Sequence, residues 1–163
     1  MDVQIREEGE GDREAIREVH GLAFGGPAEA LLVDNLRAIG AASVSLVAER
    51  DTRILGHILF STLKAPMRAL SLAPVGVRPH FQNLGIGSAL IRRGMEIATE
   101  RLWEAVFVLG DPPYYERFGF SVEAARHFSC AYAGPYFMVC TLGKYEIRRA
   151  GELVYPEPFK ELE

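Results

Sequence analysis

One strand–helix–strand stretch in the middle of the chain constrains the fold more than any other feature. Residues 69–77 are mostly apolar and predict a strand, which Pro79 should end because proline cannot donate a hydrogen bond to a β-ladder. Residues 86–102 predict an amphipathic helix, since their apolar side chains fall on one broad half of a helical wheel. Residues 105–109 form a wholly apolar run, which is typical of a buried strand. This order predicts a right-handed crossover that joins two parallel or nearly parallel strands of one sheet.

The flanking segments predict further strands and two more helices. One helical pattern follows Asp12, and a second lies between Pro27 and Gly40, where proline suits a first turn and glycine a C-terminus. We therefore predict one α/β domain (α+β in some schemes) over residues 1–163, with a mixed, mostly antiparallel sheet and helices on both faces. The predicted flanking strands cover residues 3–7, 44–49, 54–63, 120–122 and 136–142.

The composition is that of a folded domain without a bias toward polyanions or membranes. A net charge of -4, from 22 acidic and 18 basic residues, argues against non-specific nucleic-acid binding. No apolar run approaches the ~20 residues that span a bilayer, and the charged N-terminus is no signal peptide. Cys130 and Cys140 are too few for a disulfide framework and predict idle thiols in a reducing cytosol. We expect a soluble, cytoplasmic protein that binds neither nucleic acid nor membrane.

A turn with two glycines joins the central strand to its helix. Gly85 and Gly87 allow close approach of the backbone to a ligand, and the free N–H groups at a helix start attract anions. A dinucleotide fingerprint needs a small residue where Leu90 stands. A P-loop needs a Gly-Lys-Ser/Thr run, whereas Ser88 is followed by Ala89. The two glycines by themselves therefore fit either an ordinary glycine-rich connection before a helix or a phosphate site that belongs to neither of these two classes.

Two motifs occur in order along the chain. The run Gln82-Asn83-Leu84-Gly85-Ile86-Gly87 fits the signature Gln/Arg-x-x-Gly-x-Gly/Ala, and it follows an apolar strand over residues 72–77. A Tyr-x-x-x-Gly-Phe pattern begins at Tyr115, after the next strand. With these motifs the chain resembles the GNAT superfamily of N-acetyltransferases. Residues 56–61 and 151–159 are similar to its YhbS-like branch of predicted acetyltransferases, so the resemblance covers nearly the whole chain.

The resemblance implies an enzyme that uses acetyl-CoA as co-substrate and acetylates a primary amine by direct attack on the thioester. It implies that main-chain groups at the end of the central strand pair with the pantetheine arm, and that the glycine turn holds the pyrophosphate. A non-catalytic acyl-CoA-binding module of the same fold is the alternative, which the lack of a carboxylate on residues 69–77 favours slightly. The implied cofactor-binding residues are Val75, Gly76, Val77, Gln82, Asn83, Leu84, Gly85, Ile86, Gly87 and Ser88.

Tyr115 is the predicted catalytic residue. A phenol with a pKa of about 10 stays protonated at neutral pH and can donate its proton to a departing thiolate. The resemblance places the matching tyrosine at the cofactor sulfur. The competing interpretation is that Tyr115 packs in an aromatic cluster with Phe118 and Phe120.

The sequence leaves the general base open. Asp111 follows the second strand of the crossover and His80 lies in the turn region, while Glu49 and Glu29 are weaker candidates. Ordered water, or an amine that arrives already neutral, would serve equally well. The scattered histidines and the absence of a Cys-x-x-Cys run predict no metal site.

Several supporting roles are also open. Because Leu84 stands at a position that is often basic or small in the family, extra charge for the phosphates would have to come from elsewhere, with Arg92 or Arg93 as candidates. Residues 20–42 and 124–138 are expected to recognise the acceptor, whether metabolite, peptide or protein. Residues 144–163 are a candidate homodimer surface, or else cover the sheet.

Overall fold

The computed structural model describes residues 2–162 and has a central six-stranded sheet in the order β1-β2-β3-β4-β5-β7. Its strands are β1 Gln4–Glu7, β2 Ala42–Arg50, β3 Arg53–Leu63, β4 Ala69–Val77, β5 Ala105–Leu109 and β7 Phe137–Thr141. A two-stranded sheet joins β6 Phe128–Ser129 to β8 Gly151–Glu152. The helices are α1 Arg13–Phe24, α2 Ala28–Ala38, α3 Ile86–Glu100, α4 Pro112–Tyr115 and α5 Val122–Ala125.

The strand pairing confirms the predicted crossover and sheet type. Strands β4 and β5 are parallel neighbours, and α3 connects them. The other pairs in this sheet, β1 with β2, β2 with β3, β3 with β4, and β5 with β7, are antiparallel. The sheet is therefore mixed and mostly antiparallel, as the sequence predicts.

Strands β4 and β5 separate after a short paired section. Only residues 69–71 of β4 pair with β5, although β4 runs on to Val77. Opposite Leu59, between the pairs Ile58–Val75 and Phe60–Leu72, the β3–β4 register shifts through a bulge. The last part of β4 therefore has one edge that no strand of residues 2–162 covers, and a wedge opens between β4 and β5.

Helices cover both faces of the sheet, as predicted. Helix α3 packs Leu90 and Ile91 against one face, where Phe60 is fully buried. Helices α1 and α2 pack Val19 and Leu36 against the opposite face. The C-terminal segment adds Leu153, Tyr155 and Phe159 to the apolar clusters around the sheet, so it covers part of this same chain.

Two details of the secondary structure differ from the prediction. Residues 120–122 do not form a strand: Ser121 makes only an isolated bridge with Val139, and its Oγ accepts a hydrogen bond from the Ala124 N–H. This cap starts α5 at Val122, because serine at an N-cap satisfies a free amide of the first turn. Helix α3 ends at Glu100 rather than at residue 102, because Leu102 adopts a left-handed conformation and its side chain is exposed.

Among the described residues, no helix is long and apolar enough to cross a bilayer.

Candidate functional site

Two cavities open at the wedge between β4 and β5. The first, here called the turn cavity, has a volume of about 540 Å³ and lies between the end of β4 and the start of α3. The second, the aromatic cavity, has a volume of about 520 Å³ and lies between β4, α2 and the C-terminal segment. Phe24 and Val75 line both cavities, so the two join at the middle of the wedge.

The turn cavity gathers almost all residues that the sequence predicts for cofactor binding. Leu84 does not line it and has 57% of its surface exposed. The predicted residues that do line it are Val75, Gly76, Val77, Gln82, Asn83, Gly85, Ile86, Gly87 and Ser88.

The backbone of the glycine turn is shaped to present amide groups. Asn83 and Gly85 adopt left-handed conformations with φ of 63° and 87°, and Gly85 is the N-cap of α3. Among residues 2–162, the N–H groups of Ile86, Gly87 and Ser88 have no backbone acceptor, because they begin the helix. These donors and the positive end of the α3 dipole favour an anion in this cavity.

A side-chain bond fixes the turn to the strand. Gln82 Nε2 donates to the Val77 carbonyl over 2.9 Å, so this side chain holds the turn in place. The only cationic side chain among the described lining residues is Arg117, whose guanidinium lies 4.8 Å from the centre of the Tyr114 ring. The candidates Arg92 and Arg93 lie elsewhere: Arg92 stacks on Phe118 and Arg93 pairs with Glu96. The extra charge near the turn therefore comes from Arg117.

The end of β4 turns free main-chain groups toward the wedge. The Arg78 N–H donates to the Leu55 carbonyl at the β3 side, over 2.9 Å. Successive residues of a strand direct their main-chain groups to opposite edges, so Val77 and Val75 face the β5 side, where no strand of the described chain pairs with them. Gly76 faces β3 instead, and a Cβ there would lie 2.7 Å from His20 Nδ1.

Tyr115 lies in the aromatic cavity, close to where the cavities join. Burial, with a smaller effect of Tyr114, raises the pKa of Tyr115 to about 12, so the phenol is neutral over the physiological range. Its ring packs edge-on against Tyr114 and Phe120, at 5.1 and 5.9 Å between centroids. Tyr115 therefore packs in an aromatic cluster and also lines the cavity. Tyr114 lines the other cavity, and its hydroxyl lies 3.3 Å from Ser88 Oγ.

The four carboxylate and histidine candidates for the base do not share a cavity. Glu29 lines the aromatic cavity, whereas Asp111, His80 and Glu49 line neither cavity. Asp111 precedes α4 and its carbonyl accepts the Tyr115 N–H over 3.0 Å, while Glu49 pairs with Arg6. Of these four, only Glu29 is placed to meet a molecule bound in the wedge.

A buried polar network lies beneath β4 and is missed by the sequence analysis. His20 and His57 are both fully buried, with 2.8 Å between His20 Nε2 and His57 Nδ1. His57 Nε2 lies 2.7 Å from Ser45 Oγ, the Ser45 hydroxyl donates to Glu8, and Arg37 donates to both Glu8 oxygens. The sequence does place His20 on the apolar face of α1 and His57 on that of β3. The contact between the two rings, however, depends on tertiary packing.

The Ser45 hydroxyl determines which histidine nitrogen atoms donate and which accept in this network. The single hydrogen of Ser45 goes to the Glu8 carboxylate, so Ser45 Oγ accepts the His57 Nε2–H. His57 Nδ1 is then an acceptor for the His20 Nε2–H. His20 Nδ1 is left as a buried lone pair with no partner among residues 2–162. Burial keeps both rings neutral: it lowers the pKa of His57 and, with smaller effects of His57 and Arg37, that of His20 to about 3.

Phe24 and Arg117 are further site residues that the sequence analysis does not single out. Phe24 ends α1, stacks on His20 at 5.8 Å, and borders both cavities. Phe24 belongs to no recognisable motif, and Arg117 stands at an unspecified position of the Tyr-x-x-x-Gly-Phe pattern, so only their places in the fold reveal them. Within residues 2–162, no group of three or more His, Cys, Asp or Glu side chains is arranged to hold a metal ion.

The sequence is similar to known families and relatives. The family model described as "Acetyltransferase (GNAT) family" matches residues 13–120. The chain is 39% identical over 132 residues to the uncharacterized N-acetyltransferase YjhQ of Escherichia coli (strain K12). The aligned region spans 77% of this chain and 71% of YjhQ. It is 32% identical over 116 residues to the uncharacterized N-acetyltransferase YhbS of the same strain. This aligned region spans 69% of this chain and 70% of YhbS.

Solved structures have the same fold. The crystal structure of YhbS from Escherichia coli in complex with CoA superposes with a TM-score of 0.89 at 29% identity, covering 97% of this chain and 92% of that one. A GNAT family acetyltransferase from Brucella melitensis in complex with acetyl-CoA superposes with a TM-score of 0.82 at 33% identity, covering 97% and 98%.

Proposed function

Because this chain belongs to the GNAT family of acetyltransferases, we propose that it transfers the acetyl group of acetyl-CoA to a primary amine by direct attack on the thioester. One observation carries the proposal: the anion-binding turn and Tyr115 line two cavities that join at Val75. A cofactor with its pyrophosphate on the α3 amides can therefore extend its acyl end along β4 toward Tyr115. The complexes of the two solved relatives, with CoA and with acetyl-CoA, support the choice of co-substrate.

Different residues of the chain bind the cofactor, align it and donate the proton. The α3 amides and Arg117 hold the pyrophosphate, and the free main-chain groups of Val75 and Val77 align the pantetheine arm as an added strand would. The neutral amine attacks the thioester carbon, the N–C bond forms and the C–S bond breaks. The departing thiolate takes the Tyr115 proton, and the proton lost by the amide nitrogen restores the phenol through solvent. Alignment of the two reactants supplies several kcal/mol of the barrier reduction.

Cofactor binding tests the site first. A Cβ at Gly87 would meet the Tyr114 hydroxyl at 3.4 Å and Val77 at 3.9 Å, which are ordinary contacts, so substitutions there should fold. We expect Gly87→Glu to weaken acetyl-CoA binding by at least about 100-fold, because its carboxylate would repel the pyrophosphate. Calorimetric titration of wild type and variant measures this change.

Matched variants separate charge from bulk at the same position. Gly87→Gln has nearly the same volume as Gly87→Glu without its charge and should retain more affinity, and Gly87→Ala should bind nearly as wild type does. If well-folded wild-type protein does not bind acetyl-CoA, the proposal fails.

A second candidate function is a non-catalytic acyl-CoA-binding module, and the absence of a carboxylate from β4 favours it. Acetyl-CoA binding without acetylation of any amine would support this alternative. The position of Tyr115 on the cavity wall supports the enzyme instead.

Gly110 offers a test of how Tyr115 is positioned. A Cβ at Gly110 would lie 2.5 Å from the Tyr115 ring, so the ring must move in Gly110→Ala. We expect kcat to fall by about 10-fold or more while the Kd for acetyl-CoA changes little, because the turn is untouched. Stopped-flow or steady-state assays with parallel calorimetry measure both quantities, and an unchanged kcat would show that the ring position does not matter.

A cytoplasmic location belongs to this proposal. Cys130 and Cys140 are free thiols, which suits a reducing compartment.

A further inference from the structure

We propose that the aromatic cavity selects small monoamines with an apolar, aromatic body and no carboxylate, and that the Glu29 carboxylate binds their ammonium group as they enter, before that nitrogen loses a proton to solvent and attacks the thioester. This inference rests on the proposed function, since it names the acceptor for the same acetyl transfer. It depends on three features of the cavity: an apolar mouth, an aromatic wall and a single charge.

The mouth of the cavity is apolar. Phe24, Leu109 and Leu162 all line it, yet 45%, 52% and 39% of their respective surfaces are exposed. Large apolar side chains that stay exposed together at a cavity are typical of a ligand or partner site. A ligand with an apolar body would remove this surface from water, which a purely polar ligand would not do.

The wall of the cavity is aromatic and well packed. Tyr155 packs edge-on against Tyr132 at 4.7 Å and against Phe159 at 5.1 Å. Burial raises the pKa of the Tyr155 phenol, so this wall carries no charge at physiological pH. An aromatic ring in the cavity can extend the same edge-to-face packing.

The charge of the cavity is a single carboxylate. Among the described lining residues, Glu29 is the only one with a formal charge, and it stands in the first turn of α2. No Lys, Arg or His of residues 2–162 forms an ion pair with Glu29. Its charge is therefore free to pair with a ligand cation, which an ammonium supplies.

The same features exclude other amines. An amino acid or a peptide C-terminus would bring a carboxylate, and this cavity has no cationic side chain among its described lining residues. A polyamine or aminoglycoside would bring further cations, whereas the described lining residues include a single carboxylate. A short aliphatic amine would leave the aromatic wall and the apolar mouth uncovered.

A panel of matched amines tests this selectivity. We expect kcat/KM for 2-phenylethylamine to exceed that for phenylalanine by at least about 100-fold, because the two differ by one carboxylate that would lose its water here. We expect it to exceed the values for 1,4-diaminobutane and ethylamine by about 10-fold or more. Equal or better use of phenylalanine or the diamine would overturn the proposal.

Glu29→Gln tests the carboxylate. We expect the KM for 2-phenylethylamine to rise by about 10-fold while the Kd for acetyl-CoA stays nearly unchanged. Glu14→Gln is the matched control, since Glu14 is also in a first helical turn but lines neither cavity. If both variants behave alike, Glu29 does not hold the ammonium.

A binding measurement distinguishes failure of this inference from failure of the proposed function. Calorimetry of 2-phenylethylamine against protein saturated with CoA requires no acetyl transfer. Binding that Glu29→Gln weakens supports the ligand class even if no amine is acetylated, in which case the enzyme proposal alone fails. Absence of binding, with another amine class acetylated, overturns the inference and leaves the enzyme in place.

Discussion

Tyr115→Phe is expected to lower kcat by about 10²- to 10⁴-fold, the usual contribution of a positioned general acid. The substitution removes only the hydroxyl, and the ring can keep its edge-on contacts with Tyr114 and Phe120. Because burial raises the pKa of this phenol to about 12, the wild-type enzyme keeps its proton donor across the neutral range. Steady-state rates with saturating acetyl-CoA and a well-used amine measure the loss.

The neighbouring tyrosine provides the matched control. Tyr114→Phe removes a hydroxyl near Ser88 in the turn cavity, so it should alter the Kd for acetyl-CoA by a few-fold at most and leave kcat almost unchanged. Rates of Tyr115→Phe within about threefold of wild type would contradict the general-acid role and reduce Tyr115 to a packing residue.

The second large effect concerns the stability of the fold in acid. His20 is neutral in the folded state because burial, first of all, lowers its pKa from 6.5 to about 3. Between those values the unfolded chain binds more protons, so this contribution to stability is fully present above pH 6.5 and is lost as pH falls toward 3. We expect the free energy of unfolding to decrease by on the order of 3 to 5 kcal/mol across this window, with His57 adding in the same direction. Urea unfolding at a series of pH values measures it.

A double variant identifies the histidines as the source. In His20→Leu with His57→Leu both partners of the 2.8 Å contact become apolar together, while Ser45 and Arg37 still hold Glu8. We expect a flatter stability profile between pH 6.5 and 3. The remaining loss should lie between pH 4.5 and about 2, because the folded state lowers the pKa of Glu8 to about 2. Burial raises this pKa, but the neighbouring His57 and the hydrogen bonds from Ser45 and Arg37 lower it by more in the wild type. A double variant with the wild-type slope would assign the acid sensitivity to other groups.

Local signals predicted much of the fold and part of the site. Helical spacing identified α3, and a wholly apolar run identified β5, because burial on one face or two leaves a regular pattern in the chain. The prediction of a strand over residues 120–122 was wrong, because the Ser121 side chain caps the helix that begins at Val122. The apolar spacing extends the predicted helix to Leu102. In the structure α3 ends at Glu100 and Leu102 is left-handed, so helical spacing no longer describes where its side chain lies.

The sequence by itself determined the crossover, the glycine turn and the tyrosine motif, since each is built from residues close together in the chain. Only the tertiary structure decided that Glu29 shares a cavity with Tyr115 and that His20 meets His57, 37 residues away. The separation of β4 from β5 after three paired residues, which creates the wedge, was equally invisible beforehand. Contacts between distant segments leave no period or motif in either segment, so the aromatic cavity and the buried histidine network exist only once the helices and the C-terminal segment have packed on the sheet.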